Sequence, residues 1–420
     1  MKPKLLVLTP RFPFPQIGGD RLRIYQICRQ LSAICDLTLL SLCATRDELR
    51  EPIDSRGLFT AVHRVYHPRW KRACGVLSVL ASRTPLQVGY YRNREFSRLV
   101  RELAPSHDGI LAHLIRAGDY IRDFSMPKFI EMTDAISLAY ARTTHLKLGD
   151  TLQSLAYRIE ISRIEEYERQ TLRKFDLAIL VSTIDRDHLA RNSDAKNILI
   201  CPVGVDLSAF PFNYSPDGRT IVFIGNLTSH QNLDAAHYFA AEILPLVRAR
   251  IPAAVFKVVG RIGPKARQSL ERHTGVSVTG AVDSVPYAVR GASAGVCPVR
   301  FGAGMQTKLL EYMALGIPAV TSPIGLEGLS AEPERHLLLA DSPEQWADQV
   351  CALLKDREHS RSMALAARSL VEQHYSWTAT LAPLCSAIQA RLNSSRASHG
   401  FPRSVAIELQ KKRSPICESR

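Results

Sequence analysis

Residues 298–322 read Pro298-Val-Arg-Phe-Gly-Ala-Gly-Met-Gln-Thr-Lys-Leu-Leu-Glu-Tyr-Met-Ala-Leu-Gly-Ile-Pro-Ala-Val-Thr-Ser322. The order of residue types is that of a strand, a glycine loop and a helix over 305–315. Gly316 then stands at the helix C-terminus, and Pro318 introduces another strand. Glycines at 302 and 304 let the backbone come close to a ligand. The free N–H groups of Met305, Gln306 and Thr307, with a helix dipole behind them, suit an anion such as a phosphate. Lys308 and Glu311 lie three residues apart and share one helix face, where they suit a phosphate and a sugar hydroxyl. The same residues also allow a plainer reading, in which the glycines make a tight turn and Lys308–Glu311 is a solvated ion pair.

Around this unit, β-branched runs at 220–225, 255–260, 276–279, 295–299, 319–321 and 337–340 alternate with helical patterns such as 233–250. That alternation predicts a doubly wound parallel sheet. An earlier series at 4–9, 37–42, 109–112, 128–132, 177–182 and 198–201 predicts a second one. The two are joined by a turn-rich stretch ending near 218. Each half opens with a strand that runs into glycine, Gly18-Gly19 in the first and Gly225 in the second. Clefts in such sheets form at the carboxyl ends of the strands, so a ligand between the halves meets both turns. After Glu344 the pattern is helical, followed by a basic, low-complexity end.

Composition bounds the function. A chain of 420 residues, 46% apolar and 22% charged, can bury the cores of two globular domains. No stretch is apolar for the 18 or so residues that a membrane span needs, and the N-terminal apolar run is too short for a secretion signal. These features predict a cytoplasmic protein. The nine cysteines are scattered without metal-ligand spacing and read as reduced thiols. The net charge of +14 is carried by two segments: residues 1–110 hold 18 Lys/Arg against 9 Asp/Glu, and residues 391–420 hold 7 against 2. No nucleic-acid signature accompanies it, so no nucleic-acid partner is expected, and an anionic membrane surface or a phosphorylated substrate remains.

The segment Glu311-Tyr-Met-Ala-Leu-Gly-Ile-Pro318 resembles the second half of the donor-site signature of glycosyltransferase family 4, Glu-x7-Glu followed by Ala-x-Gly-x-Pro. The resemblance extends over about residues 3–390. It includes the Gly-Gly loop, Val203-Gly-Val-Asp206, Phe223-Ile-Gly-Asn-Leu227 and Val278-Thr-Gly-Ala-Val282. Arg300-Phe-Gly-Ala-Gly304 is similar to members serving bacterial polysaccharide or exosortase-linked sugar pathways. What the resemblance implies is an α/β protein of the GT-B fold, two Rossmann-like domains facing each other across a cleft. Residues 1–205 would form the acceptor side, 206–218 a linker and 219–375 the donor-binding domain. Residues 376–390 would be a helix packing back toward the first domain, and 391–420 a basic, disordered tail.

The implied activity is transfer of a sugar from a nucleoside-diphosphate-sugar to a hydroxyl on a carbohydrate or lipid-linked acceptor. It would proceed with retention and without metal or other cofactor. Glu311 would accept from the donor ribose, and the amides of Gly304 to Thr307 would hold the β-phosphate and sugar. Gly280 to Val282 would meet the base, while Gly18 and Gly19 would close over the phosphates. Two positions depart from the pattern. Ala303 stands where the first glutamate belongs, and the usual Gly-Arg-Leu-x3-Lys clamp is Gly225-Asn226-Leu227-x3-Gln231. A leaving diphosphate must have its charge neutralised, so Arg300 and Lys308 are expected to replace the clamp. Ala303 is also the best argument for another class, a non-catalytic GT-B-like scaffold in polysaccharide assembly. An oxidoreductase or epimerase lacks the Gly-x-Gly-x-x-Gly that it would need.

Other residues carry two readings each. His113 follows a strand where the family often places a histidine on the donor sugar, or it is a structural histidine. Asp134 orients an acceptor hydroxyl or caps a helix. Asp185-Arg-Asp187 resembles a metal motif, but Ser182-Thr-Ile-Asp185 explains the first aspartate as a helix start. Residues 67–83 mix cations, Trp70 and an apolar stripe, which suits contact with the inner face of the plasma membrane or a segment whose Val76, Leu77 and Leu80 face the core. Tyr90-Tyr91-Arg92 shapes an acceptor cleft or packs in the core.

Overall fold

The computed structural model describes residues 2–16, 18–51, 57–147, 152–191 and 197–398. The first half holds β1 (Lys4–Thr9), β2 (Asp36–Cys43), β3 (Ala61–Tyr66), β4 (Gly109–His113), β5 (Lys128–Thr133), β6 (Leu177–Leu180) and β7 (Ile198–Ile200). They pair in parallel in the order β3-β2-β1-β4-β5-β6-β7. β1 and β4 are almost wholly buried, as apolar runs covered on both faces must be. β3 was not among the expected strands. Its sequence Ala-Val-His-Arg-Val-Tyr is interrupted by two adjacent polar residues, and it lies at the edge, where only Val65 is fully buried.

The second half holds β8 (Thr220–Ile224), β9 (Val255–Val259), β10 (Val276–Gly280), β11 (Ala294–Cys297), β12 (Ala319–Thr321) and β13 (Leu338–Leu339). Their order is β10-β9-β8-β11-β12-β13, again parallel. Both sheets therefore reverse their winding beside the first strand of the half, between β1 and β4 and between β8 and β11. Such switch points open crevices at the strands' carboxyl ends. The helix expected over 233–250 is interrupted: His230–Tyr238 passes through a π-helical turn, Phe239–Ile243, into Leu244–Arg250. Pro245 lacks an N–H and crowds the preceding turn, and the wider turn accommodates it.

The chain passes between the halves twice. It leaves the first after β7, and Val205 then bridges Ser376, its N–H donating to Tyr375 O at 2.8 Å. It returns as helix Trp377–Ser398, which packs on helix Gly19–Leu31. This returning helix runs past the expected end at 390. Leu392 lies beneath Gly109, and Arg396 pairs with Asp108 at 2.8 Å, so the helix is pinned to the first half as far as Arg396. The remainder of the expected tail, 399–420, lies outside the described residues. One buried apolar cluster runs from Leu5 through the second half to Leu392, and another covers the opposite face of the first sheet. No helix among the described residues is long and apolar enough to cross a membrane.

Candidate active site

The loop after β11 carries the glycines. Gly302 has φ 122° and Gly304 φ 76°, conformations that side chains rarely adopt. Both are crowded as well. A Cβ on Gly302 would lie 2.5 Å from Gln231 Nε2, and one on Gly304 3.2 Å from Asp134 Oδ2. The helix begins at Thr307, later than expected, with Gln306 as an N-cap whose side chain makes no capping bond. The first-turn amides are thus left without a side-chain cap. Tyr312 fixes this helix to the sheet: its hydroxyl accepts Ile224 N–H at 2.9 Å, and its ring lies on Gly295. Gly316, at φ 78°, ends the helix, and Ile317 N–H returns to Tyr312 O at 2.9 Å.

Lys308 is 6% exposed, donates from Nζ to Gln306 Oε1 at 2.8 Å, and lies 5.4 Å from the Phe223 ring centre. Glu311 is half-buried. Burial pushes its carboxyl up to about 7, with Lys308 pulling the other way. The reading as a solvated ion pair therefore fails, because Lys308 is withdrawn from water and bonded elsewhere. Arg300 is engaged within the second half. Its guanidinium grips Asp234 at 3.0 and 2.8 Å and covers the Tyr238 ring at 4.7 Å, so its charge is already matched on the neighbouring helix. Gln231, at the missing lysine's place, presents beside Gly302 a buried Nε2 that has no partner among the described residues.

The turn after β8 is built tightly. Gly260, at φ 139°, passes so close to Gly225 O that a Cβ would lie 1.9 Å away. Asn226 turns its side-chain oxygen to Thr228, and its backbone oxygen accepts from Asn232 at 3.1 Å. Gly280 ends β10 at φ 79° and Val282 packs against the core. In the first half, Gly18 has φ 105° and ψ 151°, a region only glycine enters readily, and Gly19 opens helix Gly19–Leu31.

His113 closes β4, and its Nδ1 lies 2.7 Å from Glu131 Oε2 on β5. The other carboxylate oxygen accepts from Arg23 Nε at 2.6 Å, and Thr133 Oγ1 reaches both at 3.1 Å. Arg23, fully buried, also donates to Cys201 O at 2.9 Å. Burial alone would raise the Glu131 carboxyl, but Arg23 and His113 hold it down at about 2. An ionised carboxylate only accepts, so Nδ1 carries the proton. Nε2 is buried and has no hydrogen-bond partner among the described residues. One nitrogen is held by Glu131 and the other keeps its hydrogen-bonding capacity unused. Leu114 and Thr133 flank this pair at φ 63° and 67°, strained positions for residues with side chains.

Asp134 stands against Gly304 rather than at a helix cap. The amides at the start of helix Ile136–Lys147 go instead to Glu168, which accepts Ile136 N–H at 2.7 Å, and to Asp185, which accepts Ala135 N–H at 2.9 Å. Burial, then the nearby charges of Asp185 and Glu131, push the Asp134 carboxyl up to about 7. Asp185 N–H donates to Ser182 Oγ at 3.1 Å, the helix start read from the sequence, while Asp187 pairs with Arg186. Among the described residues no group of His, Cys, Asp and Glu is arranged to hold a metal ion.

The two halves meet at the glycine loop. Arg142 donates to Gly302 O at 2.9 Å and clasps Glu327 at 2.6 and 3.0 Å. Met305 Sδ accepts Val203 N–H at 3.3 Å. Arg23, Glu131, Arg142 and Glu327 were not read from the sequence. Only Glu131 left a signal, as a lone carboxylate inside an apolar strand. On the outer surface, Trp70, Leu77 and Leu80 are 64%, 66% and 49% exposed, so Leu77 and Leu80 do not face the core. His67, Pro68, Gly75 and Val79 are the buried positions of that segment, and Val76 is half-buried.

Residues 218–356 match the family described as glycosyl transferases group 1. A GDP-mannose-dependent alpha-(1-6)-phosphatidylinositol monomannoside mannosyltransferase of Mycobacterium tuberculosis is 27% identical over 240 residues, 50% of this chain and 60% of that enzyme. Sucrose-phosphate synthase from Thermosynechococcus elongatus superposes with a TM-score of 0.71 at 17% identity, over 94% of this chain and 100% of that one. Anabaena HepE, in its complex with UDP-glucose, does so with a TM-score of 0.65 at 14% identity, over 92% and 100%. The fold is GT-B, as the resemblance implied, and the glycosyltransferase likeness of the donor segment is borne out.

Proposed function

From a GT-B chain whose residues 218–356 match the glycosyl transferases group 1, we propose a transferase that moves a hexose-like sugar from a nucleoside-diphosphate-sugar to a hydroxyl acceptor. The observation that carries this reading is His113. Its Nδ1 is fixed by Glu131, its Nε2 is buried and unpartnered, and the adjoining strand end, at Asp134, touches the glycine loop of the other domain. The donor lies on that loop. Its diphosphate takes the uncapped amides of the helix starting at Thr307, with Lys308 and the Gln231 amide as donors, and Gly18-Gly19 closing from the first domain. Glu311 accepts from the ribose, Gly280 to Val282 meet the base, and His113 Nε2 accepts from a sugar hydroxyl. Charge growing on the leaving diphosphate is met by N–H dipoles and Lys308 without metal. Closure excludes water and limits donor hydrolysis. Configuration at the anomeric carbon is retained.

The acceptor is a carbohydrate or a lipid-linked sugar in polysaccharide or glycolipid synthesis. Exposed Trp70, Leu77 and Leu80 beside Arg69 and Lys71 support peripheral contact with the anionic inner face of the plasma membrane. The names of the relatives leave GDP and UDP donors both open. Calorimetry with UDP, GDP, ADP and their sugar conjugates tests the reading. Selective binding lost in Glu311→Ala and Lys308→Ala supports it. Binding of none of them favours the scaffold reading to which Ala303 lends itself.

A further inference from the structure

The carboxyl ends of β1, β2 and β3 enclose a cavity, across the switch point from His113. Its volume is about 170 Å³, and its walls include Arg11, Arg21, Arg72, Glu48, Tyr90 and Tyr91. Pockets for whole drug-sized ligands run to roughly 300–1,000 Å³. This one suits a single small group.

Three guanidinium groups share the wall with one carboxylate. Arg21 Nη2 pairs with Glu48 at 2.7 Å, and Arg11 Nη1 with Asp20 at 3.1 Å. Arg72 has no carboxylate partner among the described residues. It is held by neutral oxygens, Nε donating to His67 O at 3.0 Å and Nη1 to Tyr90 OH at 3.0 Å. Arg11 Nε donates to Tyr91 OH at 3.1 Å, and a fourth guanidinium, of Arg116, lies 5.5 Å from the Tyr91 ring centre. His67 is buried with both nitrogens engaged, on Tyr90 O and Asn93, so it braces the wall and does not bind. Arg92 turns away to Asp119 at 3.0 Å. Guanidinium groups held in fixed orientation, one of them lacking a counter-charge, are suited to phosphate oxygens. Strand spacing of about 4.8 Å puts the end of β2 roughly 10 Å from the end of β4. A group bound here would belong to the molecule whose hydroxyl is delivered to the donor sugar on His113.

We propose that this pocket binds a phosphate group of the acceptor. The proposal rests on the transferase reading for its purpose, but not for its test. The phosphate is carried either by a lipid headgroup or by a soluble sugar phosphate.

Inorganic phosphate is titrated into the full chain in the presence and absence of UDP and GDP, and followed by calorimetry. Arg72→Gln and Arg11→Gln should each weaken phosphate binding about tenfold or more, with Arg92→Gln unchanged. Thermal melts check folding, and Arg21→Gln serves as a third variant, because Glu48 keeps its bond from Ala44 N–H. Equal affinity in folded variants overturns the proposal, and so does binding lost only in Lys308→Ala, which places the phosphate on the donor loop. Phosphate bound through Arg72 with no nucleotide bound anywhere leaves the pocket standing and removes the transferase reading. Nucleotide binding with no effect of Arg72 does the reverse. Glycerol 3-phosphate and phosphatidylglycerol vesicles then separate the sources. Dependence on Arg72 for either supports the pocket, and for neither overturns it.

Discussion

His113 and Glu131 come from adjacent strands, and their bond of 2.7 Å leaves the far nitrogen of the imidazole buried and without a hydrogen-bond partner among the described residues. The carboxylate thereby decides which face of His113 a ligand meets. Replacing His113 with Ala should lower kcat about 10- to 100-fold, the worth of one strong hydrogen bond in the transition state, and leave the donor Kd nearly unchanged. Glu131→Gln, which can offer His113 either end of its amide, should act in the same direction by less. Steady-state rates beside calorimetric donor binding check this, and a loss confined to donor affinity would count against it.

Arg23 neutralises Glu131 where neither side chain reaches water. Removing one partner of such a pair leaves an uncompensated charge. Arg23→Leu should cost about 3–5 kcal/mol in urea unfolding. The acid limb carries the sign. Glu131 is depressed from 4.5 to about 2, so its contribution is complete above about pH 4.5 and disappears as pH falls toward 2. In Arg23→Leu that limb should flatten.

Glu311 titrates at about 7 in the ligand-free protein because burial disfavours its charge. If the ribose hydroxyls need the ionised form, donor affinity should rise between about pH 6 and pH 8 and fall up to tenfold per unit below the pKa. Glu311→Gln should bind more weakly and show no such slope. Calorimetry across that range, in buffers of matched ionisation enthalpy, decides it.

Gly302 and Gly304 are constrained by both φ and space. Gly302→Ala would drive a methyl into Gln231 and should reduce donor binding tenfold or more, alongside about 1–3 kcal/mol of strain. Gly304→Ala should weaken binding less, because its neighbour is the Asp134 side chain at a more tolerable distance. Donor titrations and thermal melts of the two variants should rank in that order.

Much of this could be read from residue types. Gly302, Gly304 and Gly316 take the positive φ that their places in the pattern required, and Pro318 precedes β12 as a helix terminator should. Apolar runs located twelve of the strands, while β3, polar and at an edge, gave no apolar run to find. Side-chain partners were another matter. Arg300 shares a loop with the glycines, yet Asp234, which claims it, lies on an earlier helix. Arg23 is 108 residues from Glu131, and Arg142 is 185 from Glu327. Periodicity reports which face a residue turns inward, but not what it meets there. The returning helix was foreseen, though not its length, since Leu392 and Arg396 act on the opposite end of the chain.

The paired crossings at Val205 and Ser376 also set how the halves can move. One connecting strand would act as a tether, free to swivel in any direction. Two strands lying side by side act as a door hinge, with a single soft axis along the line between them. Opening is then a rocking motion that parts Arg142 from Glu327 while the far side stays shut. Distance distributions between labels on the two domains should accordingly spread along one direction, and an isotropic spread would show the double crossing to be slack.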